Sequence, residues 1–317
     1  MSLSGALLAA LLASGVQAQD PAPTPPPVDL EDITVEGRST RQAAQQFVQR
    51  VAAAPAGARL GRWNTPICVS VANMKAPYGQ MLADRIGDIA TELGVSVGAP
   101  GCTPNVLVIA ADDGPAVASA LVEGWRRRFR PPIDNTNMGL AALERFKTSD
   151  APVRWWHISL PVSADTGQLA ARVAGEDPPS IGSRTVSRMR SPLRYDLRSA
   201  TVVIDMAKAN GVMLPALLDY AAMVVLAQVD PRSDYSDQPT ILNLFNAPEG
   251  ITGMTDWDLA YLHALYEAEP DRASAPRPGG GGVGQAGSSA SPLGRRAGRV
   301  TAALTGRLHT QASNAIC

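Results

Sequence analysis

The stretch that decides the fold runs from Leu214 to Tyr266 and reads LPALLDYAAMVVLAQVDPRSDYSDQPTILNLFNAPEGITGMTDWDLAYLHALY. Its first part, Leu214–Val229, is apolar on almost every side, which predicts a helix buried at the centre of the molecule. Asp219 and Tyr220 are its polar interruptions. After a loop, Thr255 precedes two aspartates in the pattern of an N-cap and a first helical turn, so a second helix is predicted there.

The chain before this stretch predicts a sheet with helices packed on it. Strand patterns lie at 67–71, 105–110, 153–162 and 200–205, and helix patterns lie at 40–54, 78–93, 114–130 and 140–147. A strand, a helix and a second strand in succession are typical of an α/β arrangement. Pro161, late in the third strand, favours the edge of the sheet. We therefore expect an α+β fold, α/β-like in its N-terminal half, with a mixed sheet and a buried central helix.

Residues 1–18 resemble a secretory signal peptide. Their apolar run is too short to span a bilayer, and small residues suit cleavage after Ala18, although no Lys or Arg occurs before Arg38. Because no later stretch is apolar over ~20 residues, we expect a periplasmic or secreted protein with no transmembrane segment after cleavage.

Segments of biased composition flank the predicted domain, which covers residues 39–269. Residues 19–38 combine a Pro-rich linker with a short acidic β-like segment at 29–37. That segment is similar to the TonB box of outer-membrane receptors, which binds by strand addition, and an ordinary first edge strand is the alternative. Residues 270–317 are rich in Gly, Ser and Pro, which predicts a disordered tail.

The cysteines and charges restrict the partners. Of three cysteines, Cys68 and Cys102 lie beside predicted strands, so an exported chain would join them in a disulfide; two buried free thiols are the alternative. No CxxC pair or Cys/His cluster indicates a metal, and we expect no cofactor. A net charge of −1 gives no reason to expect nucleic-acid binding. The arginines of 126–130 indicate either a solvated helix end or an anion-binding patch.

Two segments after the central helix resemble metzincin-type metallopeptidases. The sequence Pro239-Thr240-Ile241-Leu242-Asn243-Leu244-Phe245-Asn246 is similar to the Ser-Ile-Met-Asn turn of those proteins, and GMTDWDLAYLHALY at 253–266 is similar to their closing helix. More widely, the chain resembles a family of uncharacterised exported proteobacterial proteins through PGCTPN at 100–105, VRWWH at 153–157 and AQVDP at 227–231. The resemblance implies a single zincin-like domain whose buried helix occupies the place of the metal-bearing helix.

The zinc ligands of that family have no counterpart in this helix. Zincin chemistry requires two histidines at i and i+4 and a glutamate as general base. The family's ligand and base positions fall on Asp219, Tyr220, Met223 and Val229 in one register, and on Tyr220, Ala221, Val224 and Asp230 in the other. The chain has only three histidines, at 157, 263 and 309. We therefore expect no metal, no catalytic residues and no active zinc metallopeptidase.

Three hypotheses for function follow. The first is a non-catalytic binding protein for an unknown protein or peptide partner, with a groove between the strand at 153–162 and the central helix. Its candidate binding residues are Trp155, Trp156, His157, Asp219, Tyr220 and Asp230. The alternative for the two tryptophans is that they are core anchors on opposite faces of the sheet. The second hypothesis is a hydrolase in which His157, Asp219, Tyr220 and Asp230 converge within hydrogen-bond reach. The third is an envelope protein that contacts TonB through residues 33–35.

Overall fold

The computed structural model describes residues 40–171 and 191–268. Its elements are α1 (Thr40–Val51), β1 (Val69–Ala72), α2 (Ala76–Glu92), β2 (Val106–Ala111), α3 (Gly114–Gly124), α4 (Arg126–Phe129), α5 (Leu140–Thr148), β3 (Val153–Ser163), β4 (Leu193–Asp205), α6 (Leu214–Leu226), a 3-10 turn (Ile241–Asn243) and α7 (Asp256–Glu267). The predicted signal peptide, linker, acidic segment and tail lie outside the described residues.

The strands form one mixed sheet in the order β1-β2-β4-β3. β2 pairs in parallel with both β1 and β4, whereas β3 pairs antiparallel with β4. β3 lies at the edge of the sheet, as the position of Pro161 predicts. The pairing of β3 with β4 shifts register after Ile158, because Arg198 is inserted in β4 opposite that point.

Helices cover both faces of the sheet, so two cores form. The larger core contains apolar side chains of α1, α2, α6 and α7, and the smaller contains those of α3, α4 and α5. Successive strand residues point to opposite faces. Accordingly, Val202 and Ile204 of β4 lie in the larger core and Val203 lies in the smaller one. The predicted α+β fold with a mixed sheet is thus confirmed.

α6 is the buried central helix, and every residue from Ala216 to Leu226 is buried. It ends three residues before the predicted end, because Ala227 adopts an extended conformation with φ −131° and the chain goes on to pair Val229 with Ala52. The carbonyls at a helix end need partners from elsewhere. Trp63 Nε1 donates to the carbonyl of Val225 at 3.0 Å, and the Tyr266 hydroxyl donates to that of Leu226 at 2.8 Å.

Two other elements differ from their predicted extent. The helix predicted over 114–130 is interrupted at Trp125, whose φ of −123° and ψ of 46° separate α3 from α4. β4 begins at Leu193, seven residues before the predicted strand. Its first half is polar and basic, and only the pairing of Leu193–Leu197 with the second half of β3 makes it a strand.

A disulfide joins Cys68 and Cys102, whose Cα atoms are 6.0 Å apart. The bond links the residue just before β1 to the turn that precedes β2. The pairing predicted from the sequence is confirmed.

Thr255 caps α7 as predicted, in a reciprocal arrangement with Asp258. The carboxylate of Asp258 is fully buried and accepts hydrogen bonds from Thr255, from the hydroxyl of Thr240 at 2.5 Å and from the N–H of Ile241 at 2.8 Å. One side chain therefore joins the start of α7 to the 3-10 turn.

Candidate functional site

The outer edge of β3 has a covered half and a free half. In an antiparallel strand, alternate residues direct both N–H and C=O away from the partner strand. The covered half is held by three bonds: Ser159 N–H to Thr136 O at 2.8 Å, Ala170 N–H to Pro161 O at 3.0 Å, and Ser163 N–H to Gln168 O at 2.8 Å. These bonds show that the odd-numbered residues of β3 face outward.

The free half consists of Val153, Trp155 and His157. His157 lies opposite Ala200, whose own N–H donates to Asn105 on the other side of β4, so this pair exchanges no ladder bonds. By the same alternation, the N–H and C=O groups of Val153, Trp155 and His157 point away from the sheet. Within residues 40–171 and 191–268, none of these backbone groups has a hydrogen-bond partner. Such an edge is a template for a further strand.

This free edge opens onto a narrow cavity of about 100 Å³, which we call the β3 slot. One wall is formed by α5 and its flanks: Met138, Ala142, Arg145, Phe146, Ser149 and Ala151. The opposite wall is formed by Ala53 and residues 228–232.

The second wall is a short pairing between distant segments. The N–H of Ala53 donates to Gln228 O, and the N–H of Asp230 donates to Val51 O, both at 2.9 Å. The indole of Trp155 then donates to the carbonyl of Val229 at 3.0 Å. The first two bonds hold the wall together, and the third ties it to β3.

Four of the six candidate residues line the slot: Trp155, Trp156, His157 and Asp230. Asp219 and Tyr220 do not. The carboxylate of Asp219 accepts from Arg85 on α2 at 2.5 Å and from the N–H of Met254 at 2.7 Å. The Tyr220 ring packs between Trp155 and Phe245, at centroid distances of 6.2 and 5.1 Å. Because α6 is buried on all sides, its two polar residues contact protein rather than the groove expected from the sequence.

The tryptophans are core anchors on opposite faces, as the packing alternative predicts. Trp155 lies in the larger core and Trp156 lies in the smaller one, where its indole donates to the carbonyl of Phe129 at 3.0 Å. Their exposed fractions are 9% and 5%. The rings are therefore held by the protein, and the outward backbone of this strand is the part that can bind a ligand.

His157 is a buried, neutral side chain at the end of α6. Burial lowers its pKa to about 4, and hydrogen bonding to the backbone of Val224 and Val225 opposes this only in part. Its Nε2 has no hydrogen-bond partner among the residues that the structure describes. At neutral pH the ring carries no charge.

Asp230 is an ion-paired carboxylate. Arg232 donates to its two oxygens at 2.9 and 2.8 Å. Burial raises the pKa of Asp230, but the hydrogen bonds from Arg232 outweigh this, and the pKa lies below its usual value. The carboxylate therefore stays ionised near neutral pH and is a weak base.

The convergence required by the hydrolase hypothesis is not seen. Asp219 contacts α2, Asp230 contacts Arg232, and His157 contacts the end of α6. No hydrogen bond joins any two of these side chains within the described ranges. In the same part of the chain, no group of three or more His, Cys, Asp or Glu side chains is placed to hold a metal ion.

The α5 wall is the part of the site that the sequence did not indicate. Ala142, Arg145 and Ser149 carry no motif, and the helix pattern of 140–147 predicts only packing. α5 precedes the edge strand by a short turn and returns alongside it. The antiparallel return of the chain from α5 into β3 was the one feature of the sequence that could have placed α5 beside the edge strand.

None of the helices within residues 40–171 and 191–268 is long and apolar enough to cross a membrane. Comparison of the chain with protein-family models, with curated proteins and with solved structures yields no match. The geometry of the β3 slot is therefore the basis for assigning a function.

Proposed function

We propose that this chain is an exported, zincin-like binding protein without a functional zinc site, which takes an extended polypeptide along the free edge of β3. The observation that carries the proposal is the row of outward backbone groups at Val153, Trp155 and His157 above the β3 slot. An added strand would pair with these groups, so that main-chain hydrogen bonds supply the affinity.

The free edge has a defined length. Arg154 Nη2 donates to the carbonyl of Ala151 just before it, and the carbonyl of Thr136 accepts from the N–H of Ser159 just after it. Pairing positions thus extend along about five residues of a ligand strand. Because the slot measures only about 100 Å³, the α5 wall must move outward to admit such a strand. Each hydrogen bond to it contributes roughly 0.5–1.5 kcal/mol net, which predicts weak to moderate affinity unless side chains add contacts.

The zincin-like part of the proposal is supported by the order of elements. A buried helix, a turn and a closing helix follow one another as α6, Ile241–Asn243 and α7, and α6 contacts both of the others. The positions that would carry zinc ligands contact protein instead: Asp219 faces Arg85 and Tyr220 faces Phe245. A binding role fits this arrangement better than hydrolysis.

Export is supported by the signal-like residues 1–18 together with the Cys68–Cys102 disulfide. Disulfides persist mainly in oxidising compartments such as the periplasm and the extracellular space. We therefore place the binding function in the periplasm or outside the cell.

A matched pair of substitutions on α5 tests the proposal. Ala142 lines the slot, whereas its neighbour Ala141 is exposed and lines neither this cavity nor the one beside it. Ala142→Trp fills the slot, and Ala141→Trp adds the same ring outside it. The probe is acetyl-Val-Thr-Val-Thr-Val-amide at up to millimolar concentration, and the readout is amide hydrogen exchange by NMR.

In the free wild-type protein we expect the amides of Trp155 and His157 to exchange faster than those of Arg154 and Trp156, which face β4. At about ten times Kd, the probe should slow the first pair about tenfold. Ala142→Trp should abolish this protection and Ala141→Trp should retain it. Protection that fails to appear, or that survives equally in Ala142→Trp, would overturn the proposal.

A further inference from the structure

A larger cavity lies beside the β3 slot, along the face of α5 that carries Leu140, Leu143 and Lys147, and it extends to the residues just before that helix. Its volume is about 770 Å³. The charged side chains that line it are Arg126, Arg127, Arg130, Lys147, Glu123 and Asp134. Basic groups exceed acidic ones here, although the whole chain has a net charge of −1. We call this the arginine cavity.

The three arginines of the cavity lie close together in the sequence. The break at Trp125 starts the short helix α4, which carries Arg126 and Arg127, and Arg130 follows it directly. None of the three makes an ion pair with any residue that the structure describes, whereas Arg85 and Arg232 each contact an aspartate. Unpaired like charges that share one cavity repel each other, and a bound anion would relieve this repulsion.

The arginine cavity continues the β3 slot. Met138 lines both cavities, and α5 separates them along the rest of its length. Because α5 runs antiparallel to β3, the N-terminal end of α5 lies at the His157 end of the free edge. At that end the N–H of Ser159 already donates to the carbonyl of Thr136. A ligand strand therefore cannot pair beyond His157 and must turn away from β3. The next surface that it meets is the wall of the arginine cavity at residues 135–138.

We propose that the ligand of the β3 slot is an acidic polypeptide: its extended part pairs with β3, and carboxylates just beyond that part bind Arg126, Arg127 and Arg130. This inference rests on the proposed function. Antiparallel pairing is the more stable arrangement at a strand edge. It places the ligand residues near His157 on the N-terminal side of the paired segment, so the acidic residues precede the β-forming ones in the ligand sequence.

Three peptides of one length test the inference on the full chain. They are Glu-Glu-Glu-Glu-Val-Thr-Val-Thr-Val, its counterpart with Gln in place of Glu, and Val-Thr-Val-Thr-Val-Glu-Glu-Glu-Glu, all with blocked termini. Kd is measured by chemical-shift titration, and protection of the Trp155 and His157 amides reports occupation of the edge. The test variant is Arg126→Gln/Arg127→Gln/Arg130→Gln. The control, Lys75→Gln/Arg198→Gln, removes exposed charges that line neither cavity.

Exposed ion pairs are individually weak, so three of them together correspond to about a tenfold gain in affinity. We expect the peptide with leading glutamates to bind wild type about tenfold more tightly than the Gln peptide. The trailing-glutamate peptide should gain less. The arginine variant, but not the control, should remove the gain, and 1 M salt should weaken it.

Two kinds of failure are distinguishable. If all three peptides protect Trp155 and His157 with equal Kd, the inference is wrong and the proposed function stands. The same holds if the control variant weakens the acidic peptide as much as the arginine variant does, because the arginines then form only a solvated helix end. If none of the peptides protects the edge, both are wrong. Binding of a single-stranded oligonucleotide, in preference to the acidic peptides, through the same arginines would also overturn the assignment to a carboxylate ligand.

Discussion

Protonation of His157 should destabilise the protein as the pH falls below neutral. Its pKa is about 4 in the folded protein against an ordinary value of 6.5, because burial disfavours the charged ring. The unfolded chain therefore binds the proton more readily than the folded one. The contribution of the neutral ring is complete above pH 6.5 and is lost progressively as the pH falls toward 4. A difference of about 2.5 pKa units corresponds to about 3 kcal/mol.

The assay is urea unfolding of the wild type and of His157→Gln at pH values between 7 and 4. Gln cannot titrate, so the variant should lose about 3 kcal/mol less than the wild type over this range, even if it is less stable at pH 7. His263→Gln is the control, since that imidazole lies near the surface beside Glu92. Parallel pH profiles for the wild type and His157→Gln would refute the reasoning, as would an equal change in slope for His263→Gln.

Three further substitutions probe the scaffold, each by chemical denaturation. Replacing Cys68 and Cys102 by Ala should cost about 3–4 kcal/mol, since the bond closes a loop with a separation of 34 residues; an unchanged midpoint would contradict this. Asp258→Asn should cost roughly 2–3 kcal/mol, because the buried carboxylate accepts charge-assisted bonds from two segments; a loss no larger than for an exposed Asp→Asn would exclude that role. Trp63→Phe should cost about 0.5–1.5 kcal/mol by removing the indole donor to the Val225 carbonyl, and a neutral result would show that this bond does not stabilise the end of α6.

Sequence patterns correctly predicted those elements that are buried on all sides or that depend only on nearby residues. α6 is apolar all round and is buried all round, so its sequence determines its place without knowledge of its neighbours. The capping box at Thr255 depends on residues within one helical turn, and Pro161 marks an edge because it cannot donate to a ladder. In each case the structure of the element depends either on residues within one helical turn in the sequence or on burial on every side.

The candidate site was only partly predictable from the sequence, because its geometry depends on which helices and strands pack against each other in the fold. Nothing in the sequence shows that Asp219 turns toward Arg85, since the α2–α6 contact joins positions 134 residues apart. The first half of β4 is a strand only because β3 pairs with it. The free edge itself is defined by Thr136 and Gln168, whose backbone groups bind β3 without any motif.

The two hydrogen bonds that satisfy the last carbonyls of α6 affect the order in which the chain can fold. The carbonyl of Val225 is satisfied by a residue 162 positions away and that of Leu226 by one 40 positions away, on opposite sides in sequence. The helix therefore completes its hydrogen bonding only after both the Trp63 segment and α7 have joined it. Such distant closures are slow and cooperative. The N-terminal and C-terminal parts of the domain are thus expected to gain their final structure together, with α6 as the element on which both depend.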